Sequence, residues 1–520
     1  MSDASAHLRS EALVGVVSSP PSAVLRSPDA ATIADFLHDE SKLAATGVAS
    51  LARPTTLDEL RQVLAWHAHE RHAVSVSGSR TGVTGGAVPD PESHMVSLGD
   101  LRGILRVDDG DHPSATVLAG TWLSELNAHL AACHPDLVFP VDPTETSASF
   151  GGMVSTNAGG AHSFRFGAMR EWVEALSIEL PSARTLRLRR GAARAADGVL
   201  WLDDGGASRR LAIAPILKPT TKNAAGYGFS ADRDPIDLFI GAEGTLGVIS
   251  EVTVRLQRRR DVRLGYLQFF PQVDGAFDYV DALRNDPRLR TTAIEFLDAR
   301  SHALARESGK PAVDRVLQAA ADAACSVFVE VDYAGDEELA DAAERLAALV
   351  AQAGGDPEAS LAGVGEGELR DIRAFRHAVP ERVNALIAQR RERYPGLHKV
   401  ATDMAVPDAA LRWVFARYHE VLGGVGLDFA AFGHVGDNHF HVNILPRDEV
   451  ELAMATACYA VLAAEIVARG GCVAAEHGIG RIKKGFLPMQ YDAATIATMR
   501  AVKRWVDPDW RLNRGILLDP

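Results

Sequence analysis

Residues 432–443, Phe-Gly-His-Val-Gly-Asp-Asn-His-Phe-His-Val-Asn, gather three imidazoles, a carboxylate and two carboxamides into a short stretch. Read as strand, turn and strand, the return leg has a period of two, so His439, His441 and Asn443 share one face. His434, ending the incoming strand, is then placed to meet His441 across the turn. Facing imidazoles are half of a divalent-metal site. Farther on, Ala475-Glu476-His477-Gly478-Ile479-Gly480 offers a carboxylate ligand with an imidazole beside it. Two histidines and one carboxylate with the remaining positions open make the donor set of a catalytic metal, so His434, His441 and Glu476 are the candidate ligands. His439, taken alone, reads as hairpin polarity.

Three glycine-dense stretches suggest a second ligand. The first, residues 77–86, comprises Ser77, Gly78, Ser79, Arg80, Thr81, Gly82, Val83, Thr84, Gly85 and Gly86. Glycines there let the backbone approach a phosphate and turn several N–H groups toward it, and the hydroxyls of Ser79, Thr81 and Thr84 add donors. A pyrophosphate suits this loop, although it is neither a GxGxxG turn nor a P-loop. The second, residues 140–167, carries Pro143, Thr144, Gly151, Gly152, Ser155, Asn157 and Gly159, small residues that would let backbone lie against a flat ligand. The third, around Glu243, Gly244, Gly247 and Ile249, links two strands through a small-residue turn.

Together, in this order, the three stretches resemble the FAD-binding domain of the vanillyl-alcohol oxidase type over about residues 40–256. The resemblance implies that the first loop holds the FAD pyrophosphate and that the other two line the rest of the cofactor. Some relatives join the flavin covalently to a histidine in the first loop; Gly78-Ser79-Arg80-Thr81 has no histidine or cysteine, so non-covalent FAD is expected. The histidine motif followed by Glu476-His477-Gly478-Ile479-Gly480 is similar to the C-terminal half of the D-lactate, D-2-hydroxyglutarate and glycolate dehydrogenases. That similarity implies metal ligation by His434, His441 and Glu476, with Zn expected ahead of Mn or Fe, and His477 as catalytic base. Relatives commonly read Gly-Asp-Gly-Asn after the first ligand, where this chain has Gly436-Asp437-Asn438-His439.

A 2-hydroxy acid needs its carboxylate neutralised, so cations must stand near it. Arg376 matches the family's substrate arginine, Lys399 falls close to its lysine across a short length difference, and Asn443 shares the ligand face. The closing residues 507–515 resemble a DPxxxxNPG tail, which puts Asn513 near the flavin with Arg514 in place of the usual proline. The implied reaction is oxidation of a D-2-hydroxy acid, D-lactate or D-2-hydroxyglutarate foremost, with electrons passed to a quinone, an electron-transfer flavoprotein or a cytochrome. The competing readings are a same-fold flavin enzyme of the alkylglycerone-phosphate synthase kind and a non-catalytic flavin subunit of an electron-transfer complex.

Composition is ordinary for a globular protein, with 47% apolar and 23% charged residues. The net charge of −14 and the scattered basic residues argue against nucleic-acid binding. Cys133, Cys325, Cys458 and Cys472 form no CxxC or CxxCH pattern, which leaves iron-sulfur clusters, attached haem and a disulfide framework unsupported. The first residues lack a secretory pattern, and the apolar run Ala453 to Ala468 reads as too short to cross a bilayer. A cytoplasmic protein, soluble or peripheral to the inner membrane and compatible with a homodimer, is expected.

The elements that must position these groups form an α+β arrangement. Residues 1–50 are expected as a helical lead-in and 51–258 as the FAD-binding domain. Thr56 should cap a helix over the stretch from Leu57, where Leu57, Leu60, Val63 and Leu64 recur at helical spacing. Residues 259–475 are expected as a substrate or cap domain carrying the metal site, after a composition shift at Arg258-Arg259-Arg260. Residues 476–520 should pack back on the FAD-binding domain.

Overall fold

A computed structural model describes residues 6–12, 19–26, 29–192, 198–204, 207–229, 234–259, 262–318 and 323–520. Two eight-stranded sheets organise the described residues, with a four-stranded and a two-stranded sheet beside them. In the first half, an eight-stranded sheet runs in the order Ala207–Ala212, Val199–Asp204, Ala6–Ala12, Arg184–Arg189, Val173–Leu180, Val248–Arg255, Ser114–Leu118 and Ile104–Asp108. A four-stranded sheet beside it runs Val24–Arg26, Ser50–Ala52, His94–Ser97, Val74–Ser77. The helix Leu57–His69 begins where expected, with the Thr56 hydroxyl accepting from the Glu59 N–H, and it buries Leu60, Val63 and Leu64.

The lead-in differs from expectation. Residues Ala6–Ala12 form a strand, parallel to Val199–Asp204 on one side and antiparallel to Arg184–Arg189 on the other. Leu8 and Ser10 are buried while Arg9 and Glu11 are exposed, a period of two that a helix cannot satisfy. The strand Val24–Arg26 pairs with Ser50–Ala52, and among the described residues of this stretch helical character is confined to Ala30–Ile33 and a turn of 3-10 helix after it.

The second half is organised on a sheet ordered Ser360–Val364, Val262–Phe270, Cys325–Tyr333, Thr291–Asp298, Phe429–Gly433, His439–Ile444, Val400–Ala401. Amphipathic helices Val273–Asn285 and Asp336–Gln352 bury their apolar stripes, Phe277 and Val280 on the first and Leu346 and Leu349 on the second. Arg260, at the expected boundary, lies outside the described residues.

The apolar run near residue 460 is longer than its sequence suggested. It belongs to a helix, Glu449–Ala468, long and apolar enough by length and composition to cross a membrane. Here it packs Ala455, Tyr459, Leu462 and Ile466 into the core, and its Glu465 pairs with Arg417 at 2.7 Å.

The chain end returns to the first half. Val74 N–H donates to Arg511 O at 2.9 Å, and Asn513 N–H donates to Val74 O at 2.8 Å. The last residues thereby flank the strand that leads into the first glycine-rich loop.

Candidate active site

A single cavity of about 340 Å³ is lined by the three glycine-dense stretches and, at one end, by His434, His441, Glu476 and His477. Of the positions expected to hold a cofactor, all line this cavity except Gly85 and Asn157. Asn157 ends the helix Phe150–Thr156 in a left-handed conformation and accepts from the Arg170 N–H, a structural duty. The Ser77 and Ser79 hydroxyls are buried with no hydrogen-bond partner among the described residues, as hydroxyls awaiting an acceptor ligand would be. Gly78 packs so closely on Ser149 that a side chain would collide with the serine hydroxyl. The residues present therefore fit a dinucleotide flavin.

The hairpin geometry is as the spacing requires. Phe432 and His441 are opposite one another in the antiparallel pair Phe429–Gly433 and His439–Ile444. His434 follows the first strand, and the His434 and His441 rings lie 5.3 Å apart. Glu476 arrives from the C-terminal side, with its Oε2 3.4 Å from His434 Nε2 and 3.6 Å from His441 Nε2. Ligand atoms of His434, His439, His441 and Glu476 all lie within 4.8 Å of one another. Neighbouring donors around a tetrahedral ion with bonds of about 2.0–2.1 Å stand about 3.3 Å apart, so the set fits a divalent metal.

Surrounding charges orient these donors. Glu295 Oε1 holds His434 Nδ1 at 2.6 Å, which leaves Nε2 to face Glu476. Lys222 pairs with Glu476 Oε1 and, at 3.2 Å, with Asp437. Burial alone would raise the Glu476 carboxyl, but Lys222 and then His434 outweigh it and hold the group well below the usual carboxylate range. Asp403 is the hub behind the loop. It accepts the N–H groups of Glu476 and His477 at 3.0 Å each, takes Lys483 Nζ at 2.6 Å, and lies 3.2 Å from His439 Nε2. Against the cost of burial, His477 and Lys483 keep Asp403 ionised.

His439, read from sequence as hairpin polarity, is fully buried in the cluster. Met404–Ala405 pairs alongside its strand with Ala405 opposite it, and the two His439 ring nitrogens stand 3.9 Å from Glu476 Oε2 and 3.2 Å from Asp403 Oδ1. Sequence reasoning also missed Asp403, Lys222 and Glu295. Each lies far along the chain from the ligands it serves, and none sits in a spacing pattern.

The expected substrate residues are placed unequally. Arg376 pairs with Glu295 Oε2 at 2.8 Å, so one carboxylate joins it to His434. Asn443 is buried and donates to the His441 carbonyl at 3.1 Å. Lys399 precedes the strand Val400–Ala401, and burial, then Lys42, lowers its pKa; none of these three residues lines the cavity itself.

The EHGIG loop docks on the flavin side through Glu243 and Thr84. Glu243 accepts the Ile479 and Gly480 N–H groups at 2.8 and 2.6 Å, and burial raises its carboxyl to about 7 despite them. Asn513 bridges the same region, accepting from the Val76 N–H at 2.8 Å and donating to Glu243 O at 3.1 Å.

Comparison with known proteins identifies both halves. Residues 48–189 match the FAD binding domain model, and residues 260–517 match the model of the FAD linked oxidases, C-terminal domain. A D-2-hydroxyglutarate dehydrogenase from Xanthomonas citri is 30% identical over 491 residues, covering 90% of this chain and 89% of that enzyme. A D-lactate dehydrogenase from Archaeoglobus fulgidus is 28% identical, covering 89% of this chain and 90% of that enzyme. Among solved structures, an alkyldihydroxyacetonephosphate synthase superposes with a TM-score of 0.66 at 14% identity, covering 97% of this chain and 88% of that one. That likeness concerns the fold alone, and it agrees with the α+β, vanillyl-alcohol oxidase type architecture.

Proposed function

We propose, from the premise that this chain belongs to the FAD-linked oxidase family and is an FAD-dependent oxidoreductase, that its substrate is a D-2-hydroxy acid, oxidised to the 2-oxo acid. D-2-Hydroxyglutarate and D-lactate are the foremost candidates, since curated relatives carry those names. The observation that carries the reading is the shared cavity, which the flavin loops line together with the His434, His441 and Glu476 donors and His477.

When bound, FAD supplies the hydride acceptor, and a divalent ion, Zn foremost, at His434, His441 and Glu476 supplies a Lewis acid for the substrate hydroxyl. His477 is the base that removes the hydroxyl proton as C2 gives up its hydride. Its ring stacks on His441 at 5.4 Å and is partly open to the cavity, so it reaches the ligand end of the cleft. Asp403, 3.6 Å from His477 Nδ1, fixes the imidazole and offsets the positive charge it gains. Arg376 pairs with the substrate carboxylate by turning from Glu295, which keeps its bond to His434. Electrons leave to an external carrier, a quinone, an electron-transfer flavoprotein or a cytochrome, and the protein works in the cytoplasm or at the inner-membrane face.

Glycerone-phosphate chemistry on the same fold would leave the four-donor cluster without a task, so it ranks behind. Anaerobic mixing with D-lactate, D-2-hydroxyglutarate and glycolate tests the proposal. One of them should bleach the yellow flavin; silence from all three rejects it.

A further inference from the structure

Far from the flavin-side ligands, three more histidines meet. His67 comes from the last turn of the helix Leu57–His69, His72 from the turn after it, and His94 from the start of the strand His94–Ser97. Their ligand nitrogens lie within 4.8 Å of one another, with His67 buried and the other two partly open. His67 Nδ1 and His72 Nδ1 are 3.1 Å apart, and the His72 and His94 rings stack at 3.8 Å.

We infer that His67, His72 and His94 form a second divalent-metal site, of the imidazole-preferring class to which Zn2+ belongs, which ties the helix end to the small sheet. The 3.1 Å separation of His67 and His72 is close to the 3.3 Å or so between donors on one tetrahedral ion. His94 Nδ1 is 2.7 Å from Ser50 Oγ, an outer contact of the kind that orients a ligating imidazole. A cavity of about 20 Å³ lies against His67 and His72, room for one ion or one water.

Arg511 and Glu179 line the same small cavity, Glu179 being paired with Arg61 at 3.4 Å. Arg511 donates to the His67 and Pro181 carbonyls. Hard ions such as Mg2+ prefer oxygen donors and are disfavoured by three nitrogens.

The test measures Zn2+ by elemental analysis on full-length, FAD-loaded protein equilibrated with Zn2+ and then dialysed. Wild type should retain one Zn2+ per chain at each cluster, and His441→Ala should lose the flavin-side ion while keeping the other. His72→Asn and His94→Asn, partly exposed positions, should each lose one Zn2+ while keeping FAD and substrate-driven flavin reduction. A His441→Ala protein that holds no Zn2+, or a His72→Asn protein that keeps the full wild-type content, overturns the inference. The two sites fail separately: a single ion lost with His441→Ala leaves only the flavin-side reading standing, and a single ion lost with His72→Asn leaves only this one.

Discussion

The Asp403 carboxylate meets His477 twice, accepting its backbone N–H at 3.0 Å and facing its ring Nδ1 at 3.6 Å. One side chain thus sets the path of the loop and places its charge beside the imidazole. Asp403→Asn keeps the shape and removes the charge that steadies a protonated His477. Outer partners of this kind are worth about 10- to 100-fold. Substrate-driven flavin reduction should slow by that factor with FAD content unchanged; a wild-type rate removes Asp403 from the account.

Replacing His477 separates base from ligand. His477→Asn should keep FAD and metal while slowing flavin reduction by about 10²- to 10⁴-fold, the usual worth of a positioned base. Elemental analysis decides the matter, because loss of metal would make His477 a ligand instead.

Gly480 has φ +55°, and a Cβ there would overlap the Thr84 carbonyl oxygen. Both the left-handed backbone and the contact oppose a side chain. Gly480→Ala should lift the loop from the flavin side, weakening FAD retention on gel filtration and lowering the melting temperature. A variant that holds FAD as wild type does would show that the docking tolerates the change.

His162 links the two halves of the molecule, with Nδ1 2.9 Å from Asp142 and Nε2 2.6 Å from Glu330. Burial opposes its charge, but Asp142 and then Glu330 prevail and raise it to about 9. A folded-state pKa above the unfolded 6.5 means stability that is fully present below pH 6.5 and is lost as pH climbs through about 9. The contribution is on the order of 3 kcal/mol. Denaturant titrations from pH 6 to 9.5 should show this decline in wild type and a flatter profile in His162→Gln; equal slopes would contradict it.

Much of the site was legible because its signals are local. The hairpin spacing brought His434, just past the first strand, to within 5.3 Å of the His441 ring, and glycine density marked the loops that line the cavity. What stayed hidden was long-range. Asp403, Lys222 and Glu295 act on the ligands across strand pairings and ion pairs that no spacing records. His439 reads as solvated because nothing in its own strand announces that Asp403 and Glu476 will close around it. The strand Ala6–Ala12 was mistaken for helix because so short a run carries little periodicity until its neighbours in the sheet are known.

The central claim is metal-assisted oxidation of a 2-hydroxy acid by a flavin in the shared cavity. The most direct measurement compares anaerobic flavin bleaching by the best of the three hydroxy acids in metal-replete protein and in chelator-stripped protein that still holds FAD. The account predicts rapid bleaching with metal, little without it, and recovery when Zn2+ is restored. Equal bleaching in the stripped protein would contradict it.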